Sequence, residues 1–373
     1  MSKLFEPLKI GKLEIPNRIV RSATYYALSD QNGFISEKSI VLMKTLADAE
    51  IGLIITGYAF VLKNGQVFPD MNGIDADTHI PLYQKMTRAV HERNGKIVMQ
   101  IVHGGAESVY AAEGTGDYVA VSLTDAQPDY GSPPRVLTED DIQIIIEAFG
   151  QSARRVQESG FDGVQIHGAH GYLVSEFLSP TTNHRKDKWG GSLENRMRFL
   201  IEIIRAIKRN VTNDFPVMIK LGCQDYLQGN EGLTIEEGQK IAQAIEKEGI
   251  ALIEISHGRV GKAFEKKEIK IKSSEDEAYM LETAKAIRSK VSIPLCLVGG
   301  MRSLPVLEDI IDNGITDCIS ICRPFIREPE FVKLLKSKKK TRSDCISCWG
   351  CINTDETGKN HVYCRPLQKS KSN

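Results

Sequence analysis

The chain has 373 residues, 41% of them hydrophobic and 26% charged, which is ordinary globular composition and enough to bury a large core. Lys plus Arg and Asp plus Glu both number 48, so no net field draws the chain to nucleic acid or an anionic membrane, and small neutral partners fit better. The opening Met1-Ser2-Lys3-Leu4-Phe5-Glu6 lacks the apolar core of a signal peptide, and no apolar run approaches about 18 residues.

A cytoplasmic location is the expectation that follows. In that reducing compartment the eight cysteines are expected as thiols, metal ligands or redox centres, not structural disulfides.

From the N-terminus, Leu8 to Ile15 alternates around Lys-Gly-Lys and predicts a short hairpin plugging a barrel floor. Strand-like segments then recur at Ile19–Ser22, Gly52–Thr56, Ile97–Val102, Gly163–His167, Val217–Leu221, Leu252–Ser256, Leu295–Val298 and Cys318–Ile321. Helical patterns separate them. Thr138-Glu-Asp-Asp141, for example, opens an apolar-periodic run (Ile142, Ile145, Ala148, Phe149, Val156) that stops at Gly160. Eight βα repeats predict an α/β fold, a (β/α)8 TIM barrel over residues 1–335.

Residues 111–135, rich in Gly, Asp, Ser and Pro, lack periodicity and are expected as a long loop folding over the barrel mouth as a lid. After Leu335 the basic run Lys-Ser-Lys-Lys-Lys-Thr-Arg predicts a solvated linker, which leads into a cysteine-rich tail over residues 336–373.

Active sites in such barrels form at the carboxyl ends of the strands, so residues there are read as functional first. Strand four ends in Val164-Gln-Ile-His167-Gly-Ala-His170-Gly-Tyr172. Two histidines three residues apart can aim two N–H donors at one oxygen, and the phenol beside them can hold a proton. That is equipment for polarising a carbonyl.

Gly299-Gly300-Met-Arg-Ser after strand seven offers backbone amides and a helix N-terminus to a phosphate, and Cys322-Arg323 after strand eight adds a guanidinium. Lys220 ends strand five among apolar neighbours, where a cation needs a partner or a function. His257, closing strand six, is equally open to substrate contact or structural hydrogen bonding. Cys223, Cys296, Cys318 and Cys322 read as barrel residues. In the tail, Cys345, Cys348, Cys351 and Cys364 are separated by two, two and twelve residues, a set that suits tetrahedral zinc or an iron–sulfur cluster.

The run from Val164 through Asn183, Arg185, Asp187 and Gly190-Gly191 resembles, nearly residue for residue, the Old Yellow Enzyme family of flavoproteins and the flavin barrel of bacterial 2,4-dienoyl-CoA reductase. The resemblance spans residues 3 to about 335. It implies FMN as cofactor, NAD(P)H as electron donor, and reduction of the C=C bond in an activated small-molecule alkene. His167 and His170 would hold the substrate carbonyl while Tyr172 protonates the α-carbon.

The same resemblance assigns Gly299, Gly300, Cys322 and Arg323 to the FMN phosphate, although Cys322 stands where the family usually has glycine. It assigns Gln100 to the flavin pyrimidine and Lys220, where many members have arginine, to the anionic reduced ring. Ala23, Thr24 and Tyr25 would lie against the flavin. Tyr25, or Thr24 in a register shifted by one, stands where a threonine or cysteine adjusts the potential. Gly57 and Tyr58 would touch the ring through backbone atoms.

The 2,4-dienoyl-CoA reductases carry a [4Fe-4S] site just after the barrel, with a middle spacing usually one residue longer than here. A cluster in this chain would call for an external electron-donor protein, whereas direct hydride delivery by a nicotinamide would not; zinc and free thiols stay open. Two other functions are compatible: a Schiff-base lyase using Lys220, and a flavin/iron–sulfur electron-transfer subunit. A homo-oligomer is left open.

Overall fold

Branched aliphatic residues dominate eight short segments, and all eight are strands in the computed structural model. The structure describes residues 2–114, 116–125, 131–227, 231–259, 271–354 and 360–367. The strands are β1 (Ile19–Arg21), β2 (Leu53–Ile55), β3 (Ile97–Val102), β4 (Val164–Gly168), β5 (Val217–Gly222), β6 (Leu252–Ser256), β7 (Leu295–Val298) and β8 (Cys318–Ile321). Each pairs in parallel with its neighbour in the chain, and β8 pairs with β1 to close the ring. The (β/α)8 barrel expected from the pattern is the fold. Strand ends differ from the expected ones by one residue, at Ser22, Gly52, Thr56, Gly163, Gly168 and Gly222.

Seven helices return the chain between strands: α1 (Glu37–Asp48), α2 (Ile80–His91), α3 (Glu139–Glu158), α4 (Leu193–Asn210), α5 (Ile235–Lys247), α6 (Leu281–Arg288) and α7 (Leu304–Asp312). Helix α3 begins in a capping box: Thr138 Oγ1 accepts the Asp141 N–H at 3.2 Å while Asp141 Oδ2 accepts the Thr138 N–H at 2.8 Å. It buries Ile142, Ile145, Ile146, Phe149, Ala153 and Val156 on one face. That face belongs to the large apolar layer between strands and helices.

A second apolar cluster sits inside the ring at its floor. There the hairpin Leu8–Ile10/Leu13–Ile15 packs Ile10, Leu13 and Ile15 against Val20, Leu53, Val98, Met218 and Leu252. The inward positions above this floor are polar, and they face the opposite end of the barrel.

Two segments hold more structure than expected. Residues 111–135 contain structure: the helix Val109–Gly114 runs into them, and Val119–Ala120 pairs with Arg135–Val136. Arg185 pins this segment by donating to the carbonyl oxygens of Val121 (3.2 Å) and Leu137 (2.7 Å). The basic run after Leu335 is exposed at residues 336–339, 341 and 342, and its end is tied back to the barrel. Lys340 pairs with Glu328 and Asp344, the Leu304 N–H donates to the Thr341 carbonyl at 2.7 Å, and the Ser343 N–H donates to the Arg302 carbonyl at 2.9 Å. Beyond it, Ile352–Thr354 and Asn360–Val362 form an antiparallel pair.

Candidate active site

Parallel register sets His167 beside Lys220 and Lys220 beside Glu254 on three successive strands. Lys220 Nζ lies 2.6 Å from Glu254 Oε1 and donates to Ser22 Oγ at 3.1 Å. The same Glu254 oxygen accepts from Ser22 Oγ (2.7 Å) and Ser320 Oγ (2.6 Å). Glu254 Oε2 accepts from Gln165 Nε2 at 2.8 Å, and Gln165 Oε1 accepts from Gln100 Nε2 at 2.7 Å. One hydrogen-bonded chain therefore crosses the barrel interior.

Burial alone would raise the Glu254 carboxyl. The Lys220 charge, together with bonds from Lys220, Ser320 and Ser22, holds it below its ordinary range. Breaking such a buried pair from one side costs about 3–5 kcal/mol, because a lone charge is left behind.

Above this layer opens a cavity of about 440 Å³. Of the residues expected at a cofactor site, Ala23, Thr24, Tyr25 and Tyr58 line it, as do Gln100 and Lys220. Gly299, Gly300, Cys322 and Arg323 line its far side, and His167 and His170 its mouth. Gly57 and Tyr172 are not on its wall. Gly57 sits against Thr24, whose carbonyl oxygen would lie 2.6 Å from an added Cβ, so the close approach of these two strand ends requires a glycine. None of the described residues of 111–135 lines the cavity.

At the mouth, His167 and His170 stand with ring centroids 5.1 Å apart, and His257 lies 4.6 Å beyond His170. His170 takes the left-handed conformation (φ 62°), its N–H donates to the His257 carbonyl at 3.2 Å, and its Nε2 meets Ser256 Oγ at 2.8 Å. A non-glycine residue holds that conformation at a cost its surroundings must offset, and here the result aims the ring. Burial first, then the Lys220 charge and His257, push His167 well below the usual histidine range, so its ring is neutral near pH 7. His170 is exposed and sits against His257 and His167, whose charges oppose a further one.

Tyr172 packs edge-on against His167 (4.8 Å), and its hydroxyl donates to Tyr58 Oη at 3.4 Å. Of the two phenols, Tyr58 lines the cavity and Tyr172 does not. Burial pushes Tyr172 up to about 12, and Tyr58 is raised well above its ordinary value for the same reason. On the other side of Tyr58, Tyr25 stacks at 6.0 Å and donates to Asp70.

The phosphate end differs from expectation in one respect. The N-terminus of α7 is already occupied: Glu277 Oε2 accepts the N–H groups of Arg302 (2.7 Å) and Ser303 (2.8 Å). An anion placed there would meet that carboxylate, so the helix end does not serve it. Gly299 (φ 138°), Gly300 (φ 73°) and Arg323 remain on the cavity wall.

Cys345, Cys348, Cys351 and Cys364 share one small pocket with Arg323 and Arg327. Among the described residues, however, no three His, Cys, Asp or Glu side chains are gathered as metal ligands. Arg327 donates to Cys364 Sγ at 3.3 Å, and burial, reinforced by Cys345 and Cys322, pushes the Cys351 thiol up to about 12. Neither zinc nor [4Fe-4S] ligation is supported by this arrangement. Among the described residues no helix is long and apolar enough to cross a membrane.

Sequence reasoning missed Glu254, Gln165 and Ser22. A carboxylate inside Leu-Ile-Glu254-Ile-Ser was a readable signal, because a charge in an apolar strand needs a partner. Gln165 carried no comparable signal.

The model of the NADH:flavin oxidoreductase / NADH oxidase family matches residues 3–342. An NADH oxidase of Thermoanaerobacter brockii is 35% identical over 359 residues, which cover 94% of this chain and 53% of that protein. An NADPH dehydrogenase of Geobacillus sp. (strain WCH70) is 34% identical over 327 residues, covering 87% and 91%. This chain therefore spans about half the length of the first relative and most of the second.

Among solved structures, a 2-naphthoyl-CoA reductase complex aligns with a TM-score of 0.85 at 28% identity, over 94% of this chain and 54% of that one. An old yellow enzyme homologue from Zymomonas mobilis aligns with a TM-score of 0.78 at 26% identity, over 96% and 98%.

Proposed function

Because the chain belongs to the NADH:flavin oxidoreductase / NADH oxidase family, we propose that it takes hydride from NAD(P)H through FMN and reduces the C=C bond of an α,β-unsaturated carbonyl or enoyl-type substrate. The observation that carries this reading is a pair of buried, unpartnered polar atoms, Gln100 Oε1 and His167 Nδ1, on residues that line one cavity above the Lys220–Glu254 pair. Buried polar atoms are rarely left without a partner, so the cavity is built for a polar ligand.

The residues present fit FMN. Gln100 spends its N–H on Gln165 and keeps its carbonyl free, which suits the imide N–H of the flavin pyrimidine. Lys220 would offer its charge to that ring, and Gly299, Gly300 and Arg323 would hold the phosphate. When bound, FMN supplies the hydride acceptor and donor that no side chain provides.

The protein's own groups account for the rest of the reaction. His167 and His170 can each donate an N–H bond to a substrate carbonyl and polarise the double bond, His167 from a buried, neutral ring. The proton must then come from a phenol. Tyr58 lines the cavity and Tyr172 does not, so Tyr58 gives its proton to the α-carbon and recovers one from Tyr172, which is partly exposed. A Schiff-base role for Lys220 needs a free amine, whereas Nζ is held between Glu254 and Ser22.

Anaerobic rapid mixing separates the two halves of the reaction. Tyr172→Phe and Tyr58→Phe should each slow reoxidation of the reduced protein by an enone by roughly 10²-fold or more, with reduction by NAD(P)H changed little. Equal loss in both halves would remove the tyrosines as the acid.

A further inference from the structure

The cysteine-bearing tail contributes a wall to the cofactor cavity that the family reading does not require. Ser347, Trp349, Cys351, Ile352 and Val362 line the same space as Gln100 and Lys220. We infer that Trp349 is a cofactor-binding residue, fixing Arg323 at the phosphate end of FMN and closing that end of the cavity. This rests on the FMN reading given above.

Three observations carry it. The Arg323 guanidinium lies 4.2 Å from the centre of the Trp349 indole, within the range of a cation–π contact, and also donates to the Ser347 carbonyl at 3.5 Å. The ring is 59% exposed, so core packing does not explain its position.

The turn that presents it is held in place despite unfavourable backbone angles. Ser347 (φ 54°) and Trp349 (φ 61°) both take the left-handed conformation, which disfavours residues with a Cβ. Upstream, the turn is anchored where Arg302 donates to the Cys345 carbonyl at 2.8 Å and where Ser303 and Arg342 form an antiparallel bridge. Downstream, Arg327 bonds Cys364. An arginine already ordered by an aromatic face loses less freedom when it grips a phosphate, so the indole tightens binding without touching the reacting end of the flavin.

FMN release from the holoprotein on dilution, followed by flavin fluorescence, tests this. Trp349→Ala should raise the Kd for FMN about tenfold, and Trp349→Phe, which keeps an aromatic face, should stay within about threefold of wild type. Tryptophan emission gives a second readout, because the only other tryptophan, Trp189, is 1% exposed and packs against Phe177, away from the cavity. Emission lost in Trp349→Phe should be the part that is quenched when FMN is bound. An unchanged Kd in Trp349→Ala, with Trp349 emission indifferent to FMN, would overturn the inference. A wild-type protein that holds no FMN would overturn the cofactor reading as well, which separates the two failures.

Discussion

Glu176 shows how burial at one residue writes a pH dependence into the molecule. One of its oxygens accepts the Ala106 N–H at 3.0 Å, while the other is buried without a partner. Burial first, with a contribution from Glu107 and against the opposing pull of that bond and of Arg259, pushes the carboxyl up to about 8. In the unfolded chain it ionises near the ordinary value of about 4.3. Between those values the native state holds a proton that the unfolded state has lost, so stability falls as pH rises and levels off above about pH 8. Glu176→Gln removes this penalty. Its melting temperature relative to wild type should climb from pH 5 to pH 9, and a constant difference would contradict the assignment.

Residue chemistry was readable where it depended on neighbours in the chain. His167, His170 and Tyr172 announce themselves by type and spacing at a strand end. Ser22 and Gln165 did not, because their partners come from register across the barrel; Glu254 showed in the sequence that it needs a partner, but not which one. Nor did Tyr58 announce its place, because its contact with Tyr172 depends on two strand ends meeting.

At the scale of elements, local signals were kept and long-range ones were missed. Thr138 and Asp141 cap α3 as their spacing predicts. The Gly299-Gly300 loop before α7 reads as an anion site, but Glu277 reaches the helix end from α6's approach and fills it. The glycines remain specific to their place. A Cβ on Gly300 would fall 2.6 Å from Ile271 Cδ1 in a left-handed backbone. Gly300→Ala should therefore weaken FMN retention by about tenfold or more while leaving the barrel folded, as far-UV circular dichroism would report; unchanged retention would remove this loop from the phosphate site. The tail, expected beyond a solvated linker, docks through Ser343, Arg342 and Cys345, none of which carries a periodic signal.

For the whole molecule, the closed ring sorts chemistry by end. The hairpin and an apolar floor seal one end, and the other gathers side chains from strands far apart in sequence around one cavity. The chain spans about half of the NADH oxidase it matches and most of the NADPH dehydrogenase. The proposed cycle needs only FMN, a nicotinamide and a small unsaturated substrate, all meeting at the one face.

The most direct measurement is an anaerobic absorption titration of the FMN-loaded protein. One equivalent of NADH or NADPH should bleach the flavin band, and an α,β-unsaturated carbonyl should then restore it with formation of the saturated product. A protein that binds no FMN, or whose flavin stays oxidised with both nicotinamides, would contradict the account.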